Sequence, residues 1–208
     1  MRDQTITEFL DQLAARVPAP GGGATAALHA AQAAALLAMV ARYSDGAKYD
    51  AAVMEHVISE ADELRSDALT LAEMDAAAFS AVTDAYALPK GTEEEKQARS
   101  AAIAEALGGA ARPPADVVRI SLLLVALAEE LLPAGNKNVI TDVAAAAEAA
   151  RAAAVTALVN IEVNLRGISD ETVRGDIASM AMVAEEVTAR ADRIVAAVRE
   201  EISPEPSA

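Results

Sequence analysis

The stretch that decides the fold reads PGGG at residues 20–23, followed by ATAALHAAQAAALLAMVARY at residues 24–43. From Ala24 to Ala41 it contains no Asp, Glu, Lys or Arg, and alanine and leucine occupy every face of the helix that it predicts. A helix that is apolar all round is typical of a protein interior. We therefore expect this element to be the central helix of a closely packed helical domain, surrounded by protein.

The segments around this helix also have helical periodicity, with apolar residues at three- and four-residue steps. Thr5 with Glu8 and Thr92 with Glu95 have the spacing of capping boxes. The predicted helices cover residues 5–17, 24–43, 50–87, 92–111, 115–132, 141–165 and 169–202. No segment alternates convincingly with period two and the connections are short. We therefore predict an all-α, up-and-down bundle of about seven mostly antiparallel helices, several of them long.

The same pattern predicts one domain over residues 1–202 and a disordered C-terminal tail over residues 203–208. Pro113 and Pro114 are expected to end the helix before them. The final helix, capped by Ser169, is expected to continue unbroken to the tail. The apolar stripes on two long helices suit either an intrachain bundle or a dimer seam, and the sequence leaves that choice open.

The composition excludes several classes of protein. A formal net charge of −15 opposes general binding to nucleic acid or to anionic membranes. Without cysteine the chain has no disulfide, thiolate nucleophile or cysteine-based zinc site, which fits a reducing compartment. The N-terminal residues lack a signal-peptide pattern, and the longest uninterrupted apolar run, Ala33 to Ala41, is too short to span a bilayer. We expect a cytoplasmic protein.

Two carboxylates are candidates for acid–base chemistry. Asp75 interrupts the apolar stripe of a long predicted helix, between Leu71 and Ala78 on the same face. A carboxylate in that position must be partnered, protonated or lining a cavity. Asp142 falls in the first turn of a later helix, where it is either an acid or base, or a capping residue favoured by the helix dipole.

Other residues are candidates for ligand contacts. Four of them form the turn before the central helix: Pro20, Gly21, Gly22 and Gly23. The free amides of a helix N-terminus favour an anion or a polar ligand edge, although the same residues suit a plain tight turn. Asn160 and Asn164, one helical turn apart, suit either a heterocyclic ligand or an interhelical hydrogen bond.

The cationic residues offer one further hypothesis. Three of the four lysines, Lys48, Lys90 and Lys137, fall in loops. They either form a local basic rim for a negatively charged substrate or simply occupy loops, where lysine is a common residue. His29 and His56 are not at metal-ligand spacing, and the sequence has no carboxylate cluster that would complete a set of metal ligands. We therefore expect no metal site.

Six segments in register resemble a known family. They are Phe9-Leu10-Asp11, Pro20-Gly21-Gly22-Gly23, Lys48-Tyr49, Asp75 with Ala78-Phe79, Leu88-Pro89-Lys90, and Gly135-Asn136-Lys137-Asn138 with Thr141-Asp142. In order and spacing, over nearly the whole chain, they resemble the cyclodeaminase/cyclohydrolase family that acts on one-carbon derivatives of tetrahydrofolate. The chain departs from that family where Ala24 replaces the usual serine and where the lysine-rich stretch before Tyr49 is reduced to Lys48.

The resemblance implies a helical homodimer with a folate pocket near the glycine-rich turn and no metal or other cofactor. The implied reaction is hydrolysis of 5,10-methenyltetrahydrofolate to 10-formyltetrahydrofolate, because the chain carries no transferase half. The alternative is a formimidoyltetrahydrofolate cyclodeaminase that releases ammonia. A second alternative is a non-catalytic helical folate-binding or scaffold dimer. The implied ligand is a tetrahydrofolate derivative, polyglutamylated forms included.

The resemblance also suggests roles for individual residues. Asp75 or Asp142 is expected to be the base, with burial raising its pKa toward neutrality. Lys48 or Lys90 is expected to donate a proton or to bind the glutamate carboxylates. The residues expected to bind the substrate are Pro20, Gly21, Gly22, Gly23, Tyr49, Asn136, Asn138, Asn160 and Asn164.

Overall fold

The computed structural model describes residues 2–165 and 171–203. Within them it contains eight α-helices and a short 3-10 helix, and no strand. The helices are α1 (Ile6–Ala14), α2 (Gly22–Arg42), α3 (Ala51–Ala87), α4 (Glu93–Ala110), α5 (Arg112–Ala134), α6 (Ile140–Leu165), α7 (Glu171–Ala178) and α8 (Met180–Glu201), with the 3-10 turn at Lys137–Val139. The predicted all-α bundle is confirmed.

The predicted helix starts agree with the capping interactions. The Thr5 hydroxyl accepts a hydrogen bond from the Glu8 N–H, and the Glu8 carboxylate accepts one from the Thr5 N–H, as a capping box requires. Thr92 and Glu95 form the same arrangement at the start of α4. The Asp50 carboxylate accepts from two backbone N–H groups at the start of α3.

Helix α4 ends at Ala110, ahead of the two prolines as predicted, but the expected start of the next helix near Ala115 is wrong. Pro113 and Pro114 lie in the first turn of α5, which begins at Arg112, so that only Ala111 separates α4 from α5. Proline is well tolerated there, because the first N–H groups of a helix have no intrahelical partner and the fixed φ suits the helix. The two prolines therefore start α5, and the chain turns between α4 and α5 at Ala111.

The prediction of one unbroken final helix is also wrong. The chain breaks at Ser179 into α7 and α8. The Ser179 hydroxyl donates to the Asp176 carbonyl at 2.6 Å, a local bond that competes with regular helix geometry. The expected cap at Ser169 and residues 204–208 of the expected tail lie outside the described residues.

Helix α2 is the centre of the bundle, as predicted. It packs against α3, α5 and α6, and α5 packs against both α3 and α6. Its buried side chains are mainly alanines with no exposed surface, so the neighbouring helices approach closely. In the described residues α3 and α6 hardly touch each other, so the fourth side of α2 lies open between them.

We call this side the open face and define it by Leu28, Gln32, Leu36 and Met39. Gln32 is exposed and the three apolar residues are half-buried. The expectation that protein surrounds the helix on every side is therefore wrong for this face within a single chain. Contacts within one chain do not explain why the open face carries no charged residue.

Two helices of the described residues are long and apolar enough to cross a membrane, judged by length and composition alone. They are α2 and the segment that ends in α6. The uninterrupted apolar run from Ala33 to Ala41 predicted no such helix, because polar residues interrupt both segments. A core helix can have the same length and composition as a membrane-spanning one. Helix α2 is such a core helix in this structure, because its neighbours largely enclose it.

Candidate active site

The N-terminus of α2 is built around the carboxylate of Asp75. This residue lies on α3, which runs antiparallel to α2, and its carboxylate accepts a hydrogen bond from the Ala24 N–H. A methyl group at Gly23 would overlap all three carboxyl atoms of Asp75, so glycine is what permits the approach. Partial burial raises the pKa of Asp75, and the Ala24 hydrogen bond opposes that rise only in part.

Asn160 lies on the other side of the same helix end. It belongs to α6, and a methyl group at Gly22 would lie 3.3 Å from its Nδ2 atom. That Nδ2 donates to the Thr156 carbonyl at 2.8 Å. The glycine pair at the start of α2 is thus flanked by a carboxylate from α3 and an amide from α6.

A cleft of about 420 Å³ adjoins this helix end. Its lining includes Pro20, Gln4, Gln12, Ala76 and Ser80. The volume lies in the range of small-molecule sites. Pro20 itself is buried, so it forms part of the wall. We call Pro20, Gly21–Gly23, Asp75 and Asn160 the glycine end of the molecule.

Asn164 does not join this group through its amide nitrogen. Its Nδ2 donates to the Ala110 carbonyl at 3.2 Å, at the last residue of α4. This bond satisfies a carbonyl that the helix end leaves without an intrahelical partner. Of the two expectations for Asn164, the structure contains the interhelical hydrogen bond.

Asn136 and Asn138 lie at the opposite end of α2. The Asn136 N–H donates to the Ser44 hydroxyl at 2.8 Å, and its Nδ2 donates to the Tyr43 carbonyl at 2.7 Å. The Asn136 side-chain oxygen accepts from the Asn138 N–H at 3.1 Å. Ser44 is buried and donates to the Val40 carbonyl. These bonds brace the turn before α6 against the end of α2.

Lys48, Tyr49 and Asp142 belong to the same end. The Lys48 ammonium lies 4.7 Å from the centre of the Tyr49 ring, a cation–π contact. Tyr49 lines a second cleft, of about 330 Å³, together with Arg42 and Asp45. Asp142 lies in the first turn of α6. We call Lys48, Tyr49, Asn136, Asn138 and Asp142 the asparagine end.

The two ends are far apart within one chain. They are separated by the 21 residues of α2, which rise roughly 30 Å. Lys90 is distant from both, because α3 runs from Asp75 to Ala87, roughly 18 Å further, before the loop begins. Lys137 donates to the Leu132 carbonyl and pairs with Glu201 at 2.8 Å. The three loop lysines therefore do not converge into one basic rim.

Sequence reasoning missed the side chains that extend the glycine end along α2. Thr25 and His29 follow Gly22 at three- and four-residue steps and are half-buried. The position of His29 at this end follows from its helical spacing relative to the glycine turn. Among the described residues no group of three or more His, Asp or Glu side chains is placed to hold a metal ion.

The glycine end has the chemical means for proton transfer. A carboxyl group with a raised pKa can take a proton from water near neutral pH. The amides at the start of α2 and the Asn160 side chain offer hydrogen-bond donors and an acceptor to a polar ligand edge. The fold and this end of the molecule together define an all-helical domain with a partly buried carboxylate site.

The comparison with known proteins identifies the family. The formiminotransferase-cyclodeaminase family model matches residues 5–183. The chain belongs to this family.

Individual relatives divide between two activities. A methenyltetrahydrofolate cyclohydrolase from Methylorubrum extorquens is 40% identical over 171 residues, covering 81% of this chain and 82% of the relative. A formimidoyltransferase-cyclodeaminase from Mus musculus is 31% identical over 175 residues, but the match spans only 32% of that longer protein. The crystal structure of a Thermotoga maritima formiminotetrahydrofolate cyclodeaminase superposes with a TM-score of 0.78 at 34% identity, covering 96% of both chains.

Proposed function

We propose that this protein is an enzyme that hydrolyses 5,10-methenyltetrahydrofolate to 10-formyltetrahydrofolate. The observation that carries the proposal is the Asp75 carboxylate, partly buried against the glycine-lined start of α2 with its pKa raised. The relative of matching length, from Methylorubrum extorquens, supports this activity. Its match covers most of both chains, whereas the mouse relative is about three times longer than the matched region.

The chemistry requires little beyond positioning and proton transfer. The carbon that bridges N5 and N10 is already an electrophilic amidinium carbon. Asp75 takes one proton from a water molecule as the water oxygen bonds to that carbon. The bond from the carbon to N5 then breaks, the remaining hydroxyl proton passes to N5, and the carbonyl of the 10-formyl group forms. The reaction consumes one water and releases one proton.

The other parts of the glycine end would hold the substrate. The N–H groups of Gly22 and Gly23 lie at a helix N-terminus, where the positive end of the dipole favours polar or anionic groups. Asn160 offers a side-chain amide beside them. A pterin ring presents donors and acceptors along one edge, so an amide and backbone N–H groups are suitable partners. We assign positioning of the ring to these three residues.

A cyclodeaminase activity is the second candidate, because the Thermotoga maritima cyclodeaminase shares the fold over 96% of both chains. In that reaction N10 attacks the formimino carbon and ammonia leaves. The Asp75 carboxylate would then accept the proton from N10 and pass a proton to the leaving ammonia. A third candidate is a folate-binding or scaffold dimer without catalysis. It is supported by Ala24 in the glycine turn and by the few lysines before Tyr49.

Two assays with purified protein separate these candidates. With 5,10-methenyltetrahydrofolate, we expect the methenyl absorbance to fall faster than in buffer and 10-formyltetrahydrofolate to accumulate. With 5-formiminotetrahydrofolate, a cyclodeaminase would instead raise that absorbance and release ammonia. Tight folate binding with neither change would contradict an enzymatic function and support the scaffold alternative.

Further features of the proposal follow from the family resemblance and the composition. We propose a cytoplasmic homodimer that needs no metal or redox cofactor and accepts polyglutamylated folates. The absence of cysteine is compatible with a reducing compartment. Lys48 is the residue that we assign to the glutamate carboxylates, since it is an exposed cation beside an aromatic ring and a cleft. Size measurement in solution and kinetics with chelator test the dimer and the metal-free chemistry.

A further inference from the structure

Helix α1 forms one wall of the cleft at the glycine end. Gln4, just before α1, and Gln12 within it line the cleft, and Glu73, Ala77 and Ser80 line it from α3. None of the nine residues of α1 is buried, and the helix packs only loosely on the other described helices. The hydrophobic core therefore does not account for the position of α1 beside the cleft.

Arg2 attaches this wall to α3. Its guanidinium donates to the Ser66 carbonyl at 2.8 Å and to the Thr70 hydroxyl. Its backbone N–H donates to the Glu73 carboxylate at 3.3 Å. Beyond the other end of α1 the chain enters the glycine turn through Pro20, which is buried. The wall is thus held at both ends.

The side-chain amide of Gln4 has one polar atom without a partner. Its Nε2 donates to the Gln12 Oε1 at 3.0 Å. Its own Oε1 is shielded from solvent and accepts no hydrogen bond from any residue that the structure describes, although buried polar atoms nearly always have a partner. Gln4 also lies directly before Thr5, the N-cap of α1, where an apolar residue often packs onto the helix. The fold does not explain this acceptor, which points to a ligand with a hydrogen-bond donor.

Other oxygen atoms of the cleft favour the same kind of ligand. The Glu73 carboxylate stays ionised, because the Arg2 N–H holds its pKa below the usual value. The Ser80 hydroxyl donates to the Ala76 carbonyl at 3.0 Å, so its oxygen is left to accept. Together with the Oε1 of Gln4, these oxygens suit a ligand edge that is rich in N–H groups.

We propose that Gln4 is a substrate-binding residue, whose Oε1 atom accepts a hydrogen bond from the 2-amino group of the pterin ring. The glycine amides and Asn160 then bind the carbonyl edge of the same ring, so its donors and acceptors both meet complementary groups. Arg2 is a positioning residue, because it holds the wall that carries Gln4. This inference rests on the proposed function and deepens it, because it names the residue that reads one group of the substrate.

A pair of ligands tests the bond to Gln4. The probes are 5-formyltetrahydrofolate and its analogue with hydrogen in place of the 2-amino group, and calorimetry measures the Kd of each. Gln4→Met removes the acceptor and keeps the length of the side chain. Gln12→Met is the matched control, because it breaks the bond between the two glutamines but keeps the Gln4 oxygen.

The expected result is a difference between ratios. The Kd of the analogue divided by that of 5-formyltetrahydrofolate should be roughly two- to tenfold larger for the wild type and Gln12→Met than for Gln4→Met, the value of one neutral hydrogen bond. Equal ratios for the wild type and Gln4→Met would overturn the proposal, because the Gln4 oxygen would then make no contact with the 2-amino group.

The same ratio tests the positioning role of Arg2. Arg2→Ala frees the segment before α1 from Ser66 and Thr70, so its ratio should fall toward that of Gln4→Met. Arg16→Ala is the control, since Arg16 is an exposed arginine beyond the other end of α1. An Arg2→Ala ratio equal to that of the wild type would contradict the positioning role.

These measurements do not depend on turnover. A wild-type protein that hydrolyses the methenyl substrate but shows equal ratios would contradict only the role of Gln4. A protein inactive on both folates, with a ratio that still depends on Gln4, would contradict the proposed function and support the binding role. A wild-type protein that binds neither ligand would overturn both.

Discussion

The two ends of α2 are both rich in polar groups, but they use them differently. At the asparagine end, Asn136 bonds to Ser44 and Tyr43 and accepts from Asn138, so its polar atoms hold the chain together. At the glycine end, Asp75 receives one backbone N–H, and its burial raises its pKa. The polar atoms of Asn136 are therefore used for structure. The carboxyl group of Asp75 instead remains able to gain or lose a proton in the folded protein.

This difference separates structural from chemical roles more clearly than residue type does. Asparagines within one motif were expected to bind substrate, yet the bonds of Asn136 are internal. A carboxylate in an apolar stripe costs stability, so we infer that Asp75 is retained for its function. Substitutions at the two ends test this contrast, and the largest effect is expected at Asp75.

Asp75→Asn should reduce turnover of 5,10-methenyltetrahydrofolate by roughly 10²- to 10⁴-fold, the usual contribution of a general base. The shape is kept, because an amide oxygen can still accept from the Ala24 N–H. Asp67→Asn is the matched control, since Asp67 is an exposed carboxylate on the same helix. Initial rates of absorbance loss measure both. Equal rates for the two variants would assign Asp75 a structural role only.

Gly23→Ala should lower the rate by on the order of a hundredfold, because its methyl group displaces the Asp75 carboxylate from its position. Gly21→Ala is the control within the same turn, since a methyl group there meets no atom within 4 Å. Both variants should keep their helical circular dichroism. If Gly23→Ala were as active as Gly21→Ala, the close approach to Asp75 would have no catalytic importance.

A pair of asparagine variants sharpens the contrast between the ends. Asn136→Ala should lower the free energy of unfolding by about 1–3 kcal/mol, because it leaves hydrogen-bonding groups at the end of α2 without their partner. Asn160→Ala should instead raise KM by roughly two- to tenfold, the value of one hydrogen bond to a ligand. Urea unfolding and steady-state kinetics measure the two effects. Reversed outcomes would reverse the roles assigned to the two ends.

The smallest expected effect is on stability. Burial raises the folded-state pKa of Asp75, so the folded protein binds more protons than the unfolded chain between the two pKa values. Stability from this group is therefore lost as pH rises through that interval. Asp75→Asn should raise Tm at neutral pH, and the difference should vanish below the ordinary aspartate pKa. A Tm difference that is constant with pH would contradict this account.

Local sequence signals predicted most of the fold. The uncharged alanine-rich segment marked the central helix, and the capping residues Thr5, Thr92 and their partners marked two helix starts. Asp75 was identified because a carboxylate in an apolar stripe demands an explanation. These features depend on neighbours within a few residues, which periodicity and capping rules describe.

What the sequence did not predict depends on distant contacts. Asn136 bonds to Ser44 and Tyr43, about ninety residues away in the chain, so nothing local showed that its amide is engaged. The separation of the predicted site residues into two ends follows from the antiparallel course of α2, α3 and α6. The break at Ser179 is a local choice between competing hydrogen bonds, which apolar periodicity does not register.

The most direct test of the central claim is the pH dependence of kcat/KM for methenyl hydrolysis, corrected for the buffer reaction. For the wild-type protein we predict a rate that rises with pH to a plateau, with a midpoint above the ordinary pKa of aspartate, because Asp75 must be ionised to accept a proton. The residual rate of Asp75→Asn should lack this rise. The same acid limb in both proteins would contradict the assignment of Asp75 as the base.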